Sequence, residues 1–239
     1  MEAPRNAFKR ALAEGRRPIG FWLSLGSPAV PSVIEQLRAL EGGTAAAIVR
    51  PAWNDPVLVK RLLDAGAQSL LVPFVRTAEE AARAVAATRY PPEGIRGVAT
   101  ITRASRYGRV GDYLRRAQDE LCVVVQLETR GALAELERIA AVPGVDALFV
   151  GPSDLAADLG HLGEPGHPEV QTAIADACLR CARLGKPLGT FAPVEDDARR
   201  YLEMGVRGAA GGADAVVLRQ GADERLRSFR GIPTAPGVR

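Results

Sequence analysis

No uninterrupted apolar run of about 18 residues occurs in the 239-residue chain, so a membrane-spanning helix is not expected. The opening MEAPRNAFKRALAEGRRP lacks the apolar stretch of a secretory signal, and a cytoplasmic protein is expected. Cysteine is scarce and odd in number. Cys178 and Cys181 lie inside the helical pattern PEVQTAIADACLRCARLG with neither a second pair nor a histidine to complete a zinc site, and Cys122 stands alone. All three are expected to be reduced core or surface thiols. Lysine is restricted to Lys9, Lys60 and Lys186, none of which ends an apolar strand run, and this argues against Schiff-base chemistry. Histidine is restricted to His161 and His167.

Linkers are also lacking: no Ser/Gly-rich stretch or change of composition divides the chain, which is read as a single barrel domain over 1–239. The net charge of +3 comes from basic residues spread along the chain rather than clustered, so no nucleic-acid partner is expected.

What is present is alternation. Short apolar runs (IGFWLSL, TAAAIVRP, SLLVPFV, LCVVVQLE, DALFVG, PLGTFAP and VRGAAGGA) are separated by helix-period segments such as DPVLVKRLLDAG and TAEEAARAVAATRY. Several of these helices open on Asp, Thr or Pro and stop at Gly. This is the pattern of βα units around a parallel sheet. No GxGxxG follows the first strand, so a dinucleotide-binding sheet loses support. Polar residues gather just after several strands (Arg50, Gln126, Glu128, Asp154), which favours a barrel whose site is assembled from many strand ends. A (β/α)8 barrel needs eight strands, and seven are found.

Glu128 and Asp154 each end a strand region, one βα unit apart. Adjacent parallel strands lie roughly 5 Å apart, so the two carboxylates are placed to share one hard divalent cation.

The segments GFWLSLGSP, VRPAWNDP, RLLDAGAQSLLVPFV, RYPPEGIRGVA, VQLETR and GPSDLAADLG, in this order, resemble the class II pyruvate aldolases of the HpcH/HpaI family from Ile19 to about Phe229. The resemblance implies a TIM barrel, usually hexameric with an exchanged terminal helix, that uses Mg2+ or Mn2+, with Co2+ as a further candidate. It implies pyruvate or another 2-oxo acid and an aldehyde as reactants, joined or parted through a pyruvate enolate, and possible oxaloacetate decarboxylation. The metal carboxylates fall on Glu128 and Asp154. The catalytic arginine falls on Arg50, and an acid supporting the catalytic base on Asp64. Substrate-binding positions fall on Trp22, Gln126 and the Gly151, Pro152 and Ser153 backbone, with Asp154 closing the same anion-binding turn.

The resemblance also implies a catalytic histidine at the end of a second strand, with some twenty residues between the SP motif and the next helix. Here SLGSPAV passes straight into PSVIEQLRAL. The missing strand and the missing histidine are therefore one gap, and the barrel is read as lacking its second strand segment. A second departure is the last strand, GAAGGA, whose small residues form strand poorly. The alternative is a truncated or redesigned barrel with little aldol activity, acting as a 2-oxo acid and metal binder or a purely structural subunit. The C-terminal GADERLRSFRG, with Leu226 and Phe229 as anchors, suggests a homo-oligomer.

Overall fold

The computed structural model describes residues 5–23 and 30–230. In chain order these form α1 (Ala7–Ala13), β1 (Ile19–Trp22), α2 (Val30–Ala39), α3 (Pro56–Asp64), β2 (Ser69–Val72), α4 (Ala78–Thr88) and α5 (Tyr113–Arg116). There follow β3 (Cys122–Leu127), α6 (Arg130–Ala134), α7 (Leu136–Ala140), β4 (Ala147–Val150), α8 (Pro152–Asp158), α9 (Pro168–Arg183), β5 (Leu188–Phe191), α10 (Glu195–Glu203), β6 (Gly208–Ala213) and α11 (Asp214–Arg230). Asp and Thr side chains cap three helix starts, Asp55 and Thr77 as expected. Asp55 accepts from the Leu58 N–H at 2.8 Å, Thr77 from Glu80 at 3.2 Å and Thr129 from Ala132 at 3.0 Å, each satisfying a donor the first turn leaves free.

Six parallel strands make a curled half-barrel in the order β1-β6-β5-β4-β3-β2. Of the seven expected strands, TAAAIVRP is corrected: it contributes one bridge, in which Val49 donates to Ser69 and accepts from Leu71. The reason is local and tertiary at once. Ala45, Ala46 and Ala47 favour a pleated strand weakly, and among the described residues no strand covers the outer side of Val49. A cavity of about 1030 Å³ opens beside Ala45–Ala47, at the N-terminal ends of β2 and β3. Small residues do not prevent β6 from forming: it pairs with β5 on one side and β1 on the other, and the Phe21 ring takes the space beside Gly212. Ser24–Ala29, including the SP motif and the end of IGFWLSL, lie outside the described residues.

Side chains alternate across the sheet, and the two faces are unequal. Val123, Val125 and Leu127 of β3 point outward into the main core with Leu63, Leu136, Ile139, Leu148 and Ile174. Cys122 and Val124 point inward, joined by Leu71, Ala147, Phe149, Trp22 and, from α1, Leu12 and Phe8. Each fully buried Leu or Ile contributes roughly 1.5–3 kcal/mol. Most of the apolar burial lies between sheet and helices, so this layer holds the fold although the barrel interior is open along one side. Asn6 fastens α1 to the lower end, donating to Ser69 Oγ at 3.0 Å and to the Glu120 carbonyl at 3.0 Å. The three cysteines are buried thiols.

Candidate functional site

Inward-facing positions of β3 continue from Cys122 and Val124 to Gln126, and beyond the strand's end to Glu128. The strand therefore delivers an amide and a carboxylate to the C-terminal mouth of the half-barrel. Gln126 is buried and Glu128 is only 1% exposed. One Glu128 oxygen, Oε2, accepts the Phe74 N–H at 2.8 Å. The other, Oε1, is buried and has no hydrogen-bond partner among the described residues, with an Arg50 amino group 3.7 Å away. Burial pushes the Glu128 carboxyl up to about 7, against the Phe74 N–H and Arg50, which favour its ionised form; the Asp154 carboxylate adds to the rise by its charge and by the proton the two can share.

Arg50 reaches the same mouth from the opposite end of the bridge at Val49. Its Nε–H donates to Gln126 Oε1 at 3.0 Å, and its guanidinium lies 6.0 Å from the Trp22 ring centre. Trp22 meets Phe191 edge-on at 6.2 Å. Residues from both ends of the open sheet, Trp22 of β1 and Arg50 beside β2, thus converge although the strands do not close.

Gly151 follows β4 and packs against this group. A Cβ there would stand 2.8 Å from Gln126 Nε2 and 2.9 Å from Glu128 Cγ, so only glycine leaves Glu128 where it is. The Gly151 N–H is already spent on the Leu127 carbonyl at 3.2 Å, and Pro152 has none. The expectation that the whole Gly151–Asp154 turn donates is corrected accordingly: the donors left in the first turn of α8 are the N–H groups of Ser153 and Asp154.

Asp64 is not brought to this group. It ends α3, ahead of the N-terminal end of β2, where it pairs with Arg96 at 2.8 Å and with Lys60. In a parallel sheet that is the end away from the same chain's Glu128. His161 and His167 stack on one another, and His161 bonds Glu169. Phe74 was missed. Its φ of +54° costs a bulky residue about 1–2 kcal/mol. That backbone turn aims its N–H at Glu128 and is braced by the Val75 N–H on the Gln126 carbonyl and by the Trp53 ring at 4.9 Å. The only sequence signal for it was the position of Pro73-Phe74 at a strand end.

Residues 27–221 match the model of the HpcH/HpaI aldolase/citrate lyase family. The chain belongs to that family. It is 48% identical to the pyruvate aldolase of Rhizobium etli, over 96% of this chain and 99% of that protein. It is 49% identical to the 4-hydroxy-2-oxo-heptane-1,7-dioate aldolase of Klebsiella pneumoniae, over 94% of each. The crystal structure of a family member from Burkholderia cenocepacia superposes with a TM-score of 0.89 at 39% identity, covering 94% of this chain and 99% of that one. Membership makes this HpcH/HpaI chain a carbon–carbon lyase with a TIM-like fold. The Rhizobium alignment is 252 positions long yet takes in 96% of a 239-residue chain, so about 20 positions are filled only by the relative. That is more than enough for a strand of about 5–6 residues with its flanking loops.

Proposed function

We propose that this chain is a divalent-metal-dependent pyruvate aldolase that makes or cleaves 4-hydroxy-2-oxo acids. The observation that carries the reading is the pair of carboxylates at the mouth: Glu128 is buried with an oxygen left over, and Asp154 lies close enough to raise its pKa. Burying a carboxylate without full satisfaction costs several kcal/mol, which a cation would offset. Hard oxygen donors suit Mg2+, Mn2+ or Co2+, and Glu128 and Asp154 would hold the ion. When bound, such an ion supplies Lewis acidity to a 2-oxo acid carbonyl.

The chain's own groups do the rest. Gln126 fixes Arg50 through Nε, which leaves the terminal amino groups of Arg50 to hold the substrate's oxygens and to stabilise negative charge that develops there. The Ser153 and Asp154 N–H groups receive the substrate carboxylate. Trp22 and Phe191 form an apolar wall. Cleavage also requires removal of the C4 hydroxyl proton, and His161 and His167 are engaged with each other and with Glu169. Retained residues therefore serve binding and charge stabilisation better than proton transfer. The test is pyruvate release from a 4-hydroxy-2-oxo acid with Mg2+ or Mn2+, with a chelator control. Equal turnover in metal and in chelator would overturn the metal assignment.

A further inference from the structure

We propose a second metal site, distinct from the carboxylate pair, formed by His161, His167 and Glu169 between α8 and α9. One ligand atom from each of the three lies within 4.8 Å of the others, and this is the one such trio among the described residues. The imidazole rings stack with centroids 3.4 Å apart, and His161 Nε2 lies 2.9 Å from Glu169 Oε2. Both of the chain's histidines are thus in one place, each half-buried, beside a carboxylate.

Two anchors restrict the trio. His167 caps α9, its Nδ1 accepting the Glu169 N–H at 3.3 Å, and Glu169 Oε1 is held by Arg130 at 3.2 Å, which leaves Oε2 turned toward His161. Arg130 is in turn fixed by its own N–H on Asp158 at 2.7 Å. This is the arrangement in which outer partners orient a ligating carboxylate.

The donor set selects the ion. Two imidazoles and one carboxylate suit borderline ions such as Zn2+, Co2+, Ni2+ and Cu2+, whereas Mg2+ and Mn2+ favour oxygen donors. Ligand atoms about 2.0–2.2 Å from a tetrahedral zinc are roughly 3.4 Å apart, so small side-chain rotations that unstack the rings bring 4.8 Å into range. The guanidinium of Arg130 and the positive end of α9 both oppose a cation here and lower the affinity. Occupancy would tie the 160–167 loop to α9 and stabilise the segment after Asp154.

The experiment titrates Zn2+ and, separately, Mg2+ into the untagged full-length chain by calorimetry. It compares wild type, His161→Asn and His167→Asn, the last of which keeps a good helix cap. Wild type should bind Zn2+ at a site that each variant weakens by about tenfold or more, while Mg2+ binding stays unchanged in all three. The Cu2+ form of wild type should show nitrogen couplings in its electron paramagnetic resonance spectrum, reduced in both variants. Folded variants that bind Zn2+ with wild-type stoichiometry and affinity would overturn the proposal. So would a wild-type chain whose Zn2+ binding disappears entirely in Glu128→Gln.

Discussion

At the scale of single residues, Glu128 is held where its charge is costly. Its carboxyl is pushed up to about 7, chiefly by burial. The folded protein therefore binds this proton more tightly than the unfolded chain. That contribution is complete below the ordinary carboxyl range and is lost as pH rises through about 7. Metal-free Glu128→Gln should consequently be more stable than metal-free wild type at pH 8, by on the order of 2 kcal/mol, and the two should converge near pH 4. Melting curves in chelator at both pH values check this. The same substitution should weaken Mg2+ or Mn2+ binding and lower metal-dependent activity together; unchanged metal affinity in a folded variant would remove Glu128 from the site. Arg50 invites a second test, because its Nε–H on Gln126 and its amino group near Glu128 use the shape of a guanidinium and not merely its charge. Arg50→Lys should cut kcat/KM by about tenfold or more with little change in melting temperature. Wild-type kinetics would instead make Arg50 a structural ion pair.

At the scale of elements, the β4–α8 turn is where packing and site meet. Gly151 has an ordinary φ of −92°, so its glycine is required for space rather than for conformation. Gly151→Ala would place a methyl carbon against Gln126 and Glu128. The expected outcome is a tenfold or greater loss of metal affinity or kcat/KM with a cooperative melt retained, read by titration and by steady-state kinetics. Activity equal to wild type would mean that the turn yields. The edge at Val49 behaves differently. A single bridge holds the 44–51 segment, and the segment delivers Arg50 because that residue directly follows the bridged Val49.

For the whole molecule, two measurements separate what the chain keeps from what it lacks. Decarboxylation of oxaloacetate removes carbon dioxide and needs no base for a hydroxyl proton, whereas losing a positioned base typically costs aldol cleavage about 100- to 10,000-fold. Metal-dependent oxaloacetate decarboxylation should therefore survive while aldol turnover is much reduced, both measured on one preparation with the free-metal background subtracted. Robust aldol turnover would point to another base. Loss of both activities would favour a barrel that only binds or packs. Assembly is the other measurement. Ile19 and Phe21 on β1 are 66% exposed, and α11 presents Val217, Leu218 and Leu226 to solvent, a large apolar surface for a monomer. Light scattering at micromolar concentration should show a homo-oligomer, and a monomer alone would reject it. The Phe229 side chain, expected as an anchor, lies outside the described residues.

The sequence by itself determined the class of fold and the strand-end positions of several candidate residues. Period-2 and period-3.6 patterns depend only on neighbours in the chain, so the βα alternation, the caps at Asp55 and Thr77, and the placing of Gln126 and Glu128 at the end of β3 were all legible. A shortfall of strands against the eight of a closed barrel was legible too. Tertiary structure alone decided the rest, because those outcomes depend on partners distant in sequence. TAAAIVRP became one bridge because among the described residues no strand covers its outer side. Asp64 went to the other end of the sheet because helices run antiparallel to the strands they precede. Phe74, unremarkable in the sequence, became a donor to Glu128 because a backbone N–H acquires a role only when the fold aims it.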